Sequence, residues 1–328
     1  MSLLNVQNLH VRYPLMGPLK ATLTGTANRF LDAVIDVSFE AQPGTTLAIA
    51  GESGSGKSTL ARAIIGLTPI ASGTVVFDGA EPLAQGGAGN RAYHREVAMM
   101  FQDPVSSLSP RRTVAALISE PFIIHGLRGK DLNAEARRLL ALVGLPADFS
   151  GRYPHQLSGG QARRVGVARA IALNPKLILA DEPTAGLDVS VQGEILNLLT
   201  RLQGEFGLTY ILITHNLAVV RHIADRVAIM YMGRFVETGP TAAVFSHSAH
   251  PYSAGLIAAQ PHPDPAKRRT RPALTGEVTS LKNRPQGCAF HPRCSYAKQE
   301  CQRNLPPETA AGAQRLVRCF YPLNRPGA

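Results

Sequence analysis

The feature that most constrains this chain is a glycine-rich loop between a strand pattern and a helix pattern. Residues Thr46 to Ala50 form an apolar run typical of a buried strand, and helical periodicity follows from Leu60 to Leu67. The loop supplies what a nucleoside triphosphate needs: backbone N–H groups around phosphate, a lysine for the β- and γ-oxygens, and a hydroxyl for Mg²⁺. The predicted phosphate-binding residues are Gly51, Ser53, Gly54, Ser55, Gly56, Lys57, Ser58 and Thr59.

A second apolar strand pattern ends in two adjacent carboxylates. Leu177 to Ala180 is continuous apolar sequence, and Asp181 and Glu182 follow directly. Ligands of open α/β sheets bind outside the carboxyl ends of the strands. We therefore expect Asp181 to coordinate Mg²⁺ and Glu182 to orient or deprotonate an attacking water, because phosphoryl transfer depends mainly on positioning and charge stabilisation.

Composition narrows the class of protein. The 328 residues suffice for one large domain and a smaller appendage. No stretch approaches the roughly 20 uninterrupted apolar residues of a membrane span, and the start lacks the pattern of a signal peptide, so we expect a soluble cytosolic protein. The net charge is +11, and from His262 onward twelve Lys or Arg face four Asp or Glu, a net of +8. Both an anionic partner and a solvated basic tail fit that excess.

A third motif resembles a known family. Leu157-Ser158-Gly159-Gly160-Gln161 is similar to the signature sequence of ATP-binding-cassette (ABC) ATPases, and further matches follow in the order of that family. They are Tyr13 as the adenine-stacking aromatic, Gln102 in the Q-loop, Ala185 to Asp188 as the D-loop, and His215 as the switch histidine. The resemblance covers roughly residues 1 to 248.

The resemblance implies an ATPase that works as a pair of cassettes. Two ATP molecules would lie between the facing subunits, and the signature residues Ser158, Gly159, Gly160 and Gln161 would bind the nucleotide held by the partner. Ser58, Gln102 and Asp181 would hold Mg²⁺. Glu182, His215 and Gln102 would be the catalytic residues.

Small departures from the family pattern accompany these matches. The D-loop has Ala185-Gly186 where Ser-Ala is usual, and Ala162-Arg163 follows the signature where Arg-Gln is common. Neither departure removes a catalytic group, so we expect a competent ATPase.

The implied fold is α/β: a P-loop NTPase cassette with a RecA-like core, an antiparallel β edge sheet and an inserted helical subdomain. Edge strands are predicted at the start of the chain and over Val34 to Phe39, and helices over Asn133 to Val143, Val189 to Phe206 and Asn216 to Ala224. The Gly-rich residues 80–92 are predicted to be a surface loop. We expect an ABC ATPase domain over residues 1–248 and a C-terminal extension over residues 249–328.

Two segments indicate the type of transporter. The sequence from Gln102 to Arg111 resembles the Q-loop of oligopeptide/dipeptide importer ATPases, and His250-Pro251-Tyr252-Ser253 resembles the element that opens the C-terminal extension of that subfamily. Nickel, opine, glutathione and some sugar importers share it. The cargo itself is not encoded in an ATPase subunit.

All four cysteines of the chain lie in that extension. Cys288, Cys294, Cys301 and Cys319 are separated by five, six and seventeen residues and resemble the four-cysteine version of the extension, whose thiolates can hold a four-iron four-sulfur cluster. Four thiolates also suit tetrahedral zinc, although the paired C-x-x-C spacing of zinc ribbons is lacking, and unmetallated thiols stay a third possibility. A structural role, which ties down a short tail, is expected.

The resemblance also predicts partners and location. The chain would pair with an identical or homologous ABC ATPase, dock on two transmembrane permease subunits at the cytoplasmic face of the bacterial inner membrane, and serve an extracytoplasmic solute-binding protein indirectly. The alternative is an ABC-type ATPase acting on nucleic acid or the ribosome. Those proteins carry two cassettes or a long coiled coil, so no nucleic-acid partner is expected.

Overall fold

The computed structural model describes residues 2–15, 30–84, 87–103, 107–127, 131–260, 274, 276 and 280–323. Residues 104–106 of the Q-loop resemblance and the basic segment 261–273 lie outside the described residues. The strands are β1 (Leu4–Pro14), β2 (Phe30–Ala41), β3 (Thr46–Ala50), β4 (Ser72–Phe77), β5 (Val97–Met100), β6 (Leu177–Asp181), β7 (Thr209–Thr214), β8 (Arg226–Tyr231), β9 (Arg234–Pro240), β10 (Glu308–Ala310) and β11 (Leu316–Arg318).

The helices alternate with the strands over most of the chain. They are α1 (Lys57–Ile64), α2 (Gly87–Glu96), α3 (Val114–Ile124), α4 (Leu132–Leu142), α5 (Gly159–Ala170), α6 (Val189–Phe206), α7 (Leu217–Ile223), α8 (Thr241–Ser246), α9 (Pro251–Ala258) and α10 (Gln299–Arg303). Short 3₁₀ helices cover Ala147–Gly151, Pro154–Gln156, Leu281–Asn283 and His291–Arg293.

The chain divides into two compact units. The first, here called the signature unit, comprises residues 1–5, 40–46 and 76–213. The second, here called the phosphate-loop unit, comprises residues 6–39, 47–75 and 214–328. Each contains a different part of the predicted nucleotide machinery.

The signature unit contains three parallel strands in the order β7, β6, β5. Every residue of β6 and β7 is buried, which explains why both strands are continuous apolar runs rather than alternating patterns. In the register, Asp181 at the end of β6 is opposite Ile213 of β7. The carboxyl end of β6 therefore delivers Asp181 to the edge of this parallel sheet.

Helices α3, α4 and α5 of this unit pack against one another, as predicted for a helical subdomain. Helix α4 begins one residue earlier than predicted, because Asp131 is its N-cap and accepts hydrogen bonds from the backbone N–H groups of Asn133 and Ala134. The loop prediction for residues 80–92 was partly wrong, since α2 begins at Gly87. Its Tyr93 is buried edge-on against Phe77, with ring centroids 5.2 Å apart, and this contact holds the helix in place.

The phosphate-loop unit contains strands in the order β10, β11, β9, β8, β3. Strands β3 and β8 are parallel, whereas the other pairs in this row are antiparallel. The predicted edge strands form a separate three-stranded sheet in the order β2, β1, β4. The C-terminal residues thus extend the sheet beyond β9.

A buried carboxylate joins the extension to β9. Glu237 is 1% exposed and accepts hydrogen bonds from the backbone N–H groups of Ala249 and His250 and from the guanidinium of Arg315. Three charge-assisted bonds compensate the burial of this carboxylate. The start of α9 and the turn before β11 are therefore fixed to the same strand.

Candidate functional site

The phosphate loop leaves β3 in a backbone conformation that its glycines make possible. Gly51 has φ +155°, and a Cβ there would lie 2.2 Å from the carbonyl oxygen of Met230. Gly56 has φ +106°, and its Cβ would lie 2.3 Å from the carbonyl oxygen of Ala33. Side chains at either position would collide with backbone, so the loop packs against β8 and β2 only with glycine there.

Lys57 is buried and its ammonium group lies inside the loop. Its Nζ donates to the carbonyl oxygens of Gly51 and Glu52, each at 2.8 Å, and to Oγ of Ser55 at 3.4 Å. Ser58 and Thr59 follow on the first turn of α1, where they are half-buried. The predicted phosphate-binding residues from Gly51 to Thr59 therefore form one continuous element.

Other predicted residues of this unit lie at the ends of strands. Tyr13 is near the end of β1 with 36% of its surface exposed. His215 is exposed in the connection between β7 and α7, next to the N-cap Asn216. Both rings are accessible.

The carboxylate pair of the signature unit has an unusual backbone. Asp181 ends β6 and is 2% exposed, whereas Glu182 has φ +52°. The N–H of Glu182 donates to the carbonyl oxygen of Ile213 at 2.8 Å. A positive φ is costly for a glutamate and is kept where surrounding structure enforces it, which occurs disproportionately at functional sites.

The signature sequence forms an exposed helix start. The Oγ of Ser158 accepts a hydrogen bond from the N–H of Gln161 at 3.3 Å, and Oε1 of Gln161 accepts one from the N–H of Ser158 at 3.0 Å. This capping box begins α5. Ser158 and Gly159 are exposed, and a Cβ on Gly160 would lie 2.7 Å from Cγ1 of Val191. The N-terminus of α5 is thus accessible, and its close packing requires glycine at Gly160.

A residue that sequence reasoning noted only as a departure proves central to this unit. Arg163 is 2% exposed and lies on α5. Its guanidinium donates to the carbonyl oxygens of Gln102 at 2.9 Å, Phe101 at 3.4 Å and Ala185 at 3.0 Å. Burial lowers the pKa of Arg163, an effect that Asp103 opposes. One side chain therefore bonds both the predicted Q-loop and the predicted D-loop.

The D-loop continues into α6. Asp188 is the N-cap of that helix and accepts from the N–H of Val191 at 2.9 Å. This bond, with a second from Ser190, holds the pKa of Asp188 below its ordinary value. The cap fixes where the D-loop ends and the helix begins.

The four cysteines converge on one pocket. Cys288, Cys294, Cys301 and Cys319 all line it, together with aromatic rings and two histidines, and it encloses about 320 Å³ of empty space, open mouth included. Cys288 and Cys301 are also joined through the backbone, with the N–H of Cys288 donating to the carbonyl of Cys301 at 2.8 Å. The thiols come from sequence positions up to 31 residues apart yet share this space.

Burial governs the ionisation of groups around this pocket. It raises the pKa of Cys288 to about 11 and that of Cys319 to about 12, and it lowers the pKa of His250 to about 3. His250 is therefore neutral at pH 7, and its Nδ1 accepts the N–H of Tyr252 at the start of α9. Among the described residues, no group of three or more His, Cys, Asp or Glu side chains is placed to hold a metal ion.

The comparisons with known proteins decide the family. Residues 34–185 match the family described as ABC transporter, and residues 236–301 match the C-terminal region of oligopeptide/dipeptide transporters. The probable peptide ABC transporter ATP-binding protein y4tS of Sinorhizobium fredii is 46% identical over 319 residues, which are 97% of this chain and 89% of that protein. The chain belongs to the ATP-binding subunits of the oligopeptide/dipeptide ABC transporters. It is an ATPase that uses ATP and Mg²⁺.

Further relatives of this ABC subunit agree. The oligopeptide transport ATP-binding protein OppF of Haemophilus influenzae is 42% identical over 89% of the chain and 90% of that protein. Among solved structures, the post-hydrolysis dimer of the cassette MJ0796 bound to ADP and Pi is 29% identical, with a TM-score of 0.63 over 73% of this chain and 98% of that one. The predicted cassette fold is confirmed, and the transport relatives support the main functional prediction over the nucleic-acid alternative.

The phosphate-loop unit of this ABC subunit also holds contacts that the sequence did not reveal. Arg293 and Tyr252, both from the predicted extension, bond to Glu52 inside the phosphate loop.

In the part of the chain that the structure describes, no helix has the length and apolar character to cross a membrane.

Proposed function

We propose that this ATPase subunit energises the import of peptides or related small solutes. The observation that carries the proposal is the match of residues 236–301 to the C-terminal region of oligopeptide/dipeptide transporters, downstream of a complete set of nucleotide motifs. The relatives' names, which include peptide, dipeptide and oligopeptide transport, support the same cargo class.

In the proposed chemistry, the phosphate loop from Gly51 to Thr59 binds the phosphates and Tyr13 stacks on the adenine. Ser58, Gln102 and Asp181 contribute to the shell of Mg²⁺. Glu182 polarises the attacking water, which His215 and Gln102 help to orient. The positive φ of Glu182 and the bond from its N–H to the carbonyl oxygen of Ile213 support this role, because they fix the direction of its Cα–Cβ bond directly after β6.

The proposed assembly is a pair of cassettes. The exposed start of α5 presents Ser158, Gly159, Gly160 and Gln161 to the nucleotide of a facing copy or homologue, at a helix N-terminus whose dipole favours an anion. Closure of the pair pulls two permease subunits docked near residues 102–111, at the cytoplasmic face of the membrane. An extracytoplasmic solute-binding protein delivers the cargo.

We assign the ATPase domain to residues 1–248 and the extension to residues 249–328. The pairing of β11 with β9 and the bonds from Glu237 to the start of α9 support an extension attached tightly to the domain it follows. In this assignment the extension is a separate segment of the sequence, and its strand β11 joins the sheet of the ATPase domain through β9.

We further propose that the cysteine-lined pocket holds a four-iron four-sulfur cluster. Four cysteines line one pocket, which is the number of sulfur donors that such a cluster requires, and aromatic walls would shield it from water. Bound there, the cluster would crosslink four segments of a tail with a small core. Tetrahedral zinc competes on the number of thiol donors alone, because no three His, Cys, Asp or Glu side chains among the described residues are placed to hold a single ion.

Uptake of a labelled peptide mixture tests the transport proposal. Cells whose only copy carries Glu182→Gln should lose uptake while retaining the assembled transporter at normal abundance. Uptake at the level of the unmodified chain would contradict it. If the variant lost only the uptake of nickel ions or of sugars and kept peptide uptake, the proposed cargo would be wrong, and the ATPase assignment would be unaffected.

Metal analysis after purification without oxygen tests the pocket. About four irons and four sulfides per chain, lost in Cys294→Ser, would support the cluster. One zinc per chain, or no metal, would contradict it.

A further inference from the structure

Glu52 occupies a position of the phosphate loop that phosphate binding does not require to be acidic. Its backbone carbonyl accepts from Lys57, its backbone N–H donates to the hydroxyl of Tyr252 at 3.0 Å, and its carboxylate is paired with Arg293. Two of these three partners come from residues 200 and 241 positions further along the chain. Two residues of the extension therefore bind the phosphate loop at the same residue, Glu52.

The pair between Arg293 and Glu52 has the geometry of a strong interaction. Nη1 donates to Oε2 at 2.8 Å and Nη2 donates to Oε1 at 2.9 Å, so two parallel bonds form. The arginine side chain is only 5% exposed, and its guanidinium lies beside the rings of Tyr231 and Phe290, with centroids 5.9 and 5.8 Å away. A bidentate pair in such surroundings is far less screened by salt than a surface pair.

Tyr252 is held equally firmly. Its side chain is fully buried, and its ring packs against Tyr231 at 4.5 Å and against Phe290 at 5.3 Å between centroids. Phe290 is the N-cap of the 3₁₀ helix that leads to Cys294, and Arg293 is the last residue of that helix. The two residues that contact the loop are thus anchored in one aromatic cluster.

We propose that Arg293 and Tyr252 are positioning residues of the nucleotide site, through which the C-terminal extension sets the affinity for MgATP. Arg293 compensates a carboxylate that would otherwise repel the phosphates at short range, and Tyr252 fixes the peptide that carries one of the carbonyl partners of Lys57. The inference rests on the ATPase assignment and is independent of the cargo and of what the cysteines hold.

Binding of MgATP to the full-length chain tests the inference, by calorimetry on wild type, Arg293→Gln, Glu52→Gln and the double variant. Arg293→Gln should raise Kd by at least about tenfold, because an unpaired carboxylate stays beside the phosphates. The double variant should bind MgATP at least about threefold more tightly than Arg293→Gln, and Glu52→Gln alone should not reproduce the loss seen in Arg293→Gln, since the repulsive charge is gone in both. The difference in Kd between Arg293→Gln and wild type should become smaller as the salt concentration rises from about 0.05 M to about 0.5 M.

A purely structural role for Arg293 would give a different pattern. If Arg293 only stabilised the fold, Arg293→Gln and the double variant would both have lower thermal stability. Adding Glu52→Gln would then not restore the affinity of Arg293→Gln for MgATP, and the loss of affinity would not depend on salt. The proposal is overturned by a folded Arg293→Gln chain with wild-type affinity, or by a double variant as weak as the single one. Iron and zinc content is measured in every sample, so that equal occupancy of the pocket is established.

A second pair of variants keeps the test decisive should Arg293→Gln not fold. Tyr252→Phe preserves the buried ring and removes only the hydroxyl, and it should raise Kd and KM about threefold with kcat within about twofold of wild type. Arg293→Lys keeps the charge but not the fork, and it should give an intermediate Kd. Wild-type Kd in both variants would contradict the proposal.

Discussion

The two units of this ATPase each contain a buried arginine that bonds to a nucleotide motif, but the two arginines meet different acceptors. Arg293 pairs with the charged carboxylate of Glu52, whereas Arg163 donates to the neutral carbonyls of Gln102 and Ala185. The Glu52 bonds raise the pKa of Arg293, and burial lowers the pKa of Arg163.

This difference separates two ways of holding a functional loop. A charge pair leaves behind a repulsive charge when it is broken, and a second substitution can remove that charge. Hydrogen bonds to carbonyls leave behind unsatisfied acceptors, which no change of charge restores. The phosphate-loop unit should therefore respond to salt and to compensating substitutions, and the signature unit should respond only to shape and donor geometry.

The largest expected effect on stability concerns the glycines of the phosphate loop. Gly51→Ala should reduce the free energy of unfolding by about 3 kcal/mol, because its Cβ would lie 2.2 Å from the carbonyl oxygen of Met230. Gly54→Ala is the matched control: it also has a positive φ, but nothing lies within 4 Å of its Cβ, so only about 1–2 kcal/mol should be lost. Urea unfolding measures both, and equal losses would show that the contact with β8 contributes nothing.

An intermediate effect is expected from Arg163→Met. We expect kcat to fall about tenfold, since Gln102 and Ala185 lose a shared donor, while the Kd for MgATP stays within about twofold. Arg163→Gln retains one amide donor and should lose only about threefold. The ratio to wild type should not depend on salt. A salt-dependent loss of nucleotide affinity, like that expected for Arg293→Gln, would erase the distinction between the two arginines.

The smallest effect is expected from an exposed cation of the signature unit. Lys176 pairs with Asp78 and Glu96 at 2.7 and 3.0 Å, and all three side chains are more than 40% exposed. Hydrogen bonding to Asp78, then to Glu96, raises the pKa of Lys176. Lys176→Met should change the free energy of unfolding by less than about 1 kcal/mol, because water and salt screen such pairs. A larger drop in melting temperature for Lys176→Met than for Arg163→Met would contradict the expectation that the buried cation contributes more to stability than the exposed one.

Much of the fold was predictable because its elements carry local signals. Strands β6 and β7 are continuous apolar runs that fit strands buried on both faces, and α7 lies within the predicted range Asn216 to Ala224, with Asn216 as its N-cap. Helix α2 was missed because glycines at its start weaken the helical signal, while the burial of Tyr93 that supports it is a tertiary contact. At α4, Asp131 and Asn133 are both good caps; the predicted helix started at Asn133, whereas the helix of the structure is capped by Asp131.

The candidate site also contains residues that local sequence motifs predict and residues that depend on tertiary contacts. The glycines and Lys57 of the phosphate loop were readable because the backbone geometry requires those residue types in sequence. The pair between Glu52 and Arg293 was not, because 241 positions separate its members and the phosphate-loop motif prescribes no residue type at position 52. Arg163 was visible only as a departure, since its meaning depends on which carbonyls surround it.

The most direct test of the whole account is hydrolysis and binding of MgATP by Glu182→Gln beside wild type. In this variant kcat should fall at least about 100-fold while Kd stays within about threefold, because Glu182 acts on the attacking water and not on nucleotide binding. The variant should also form a stable ATP-loaded dimer, seen as a doubled mass in solution. Wild-type turnover by Glu182→Gln would contradict the assignment of the catalytic carboxylate and the mechanism built on it.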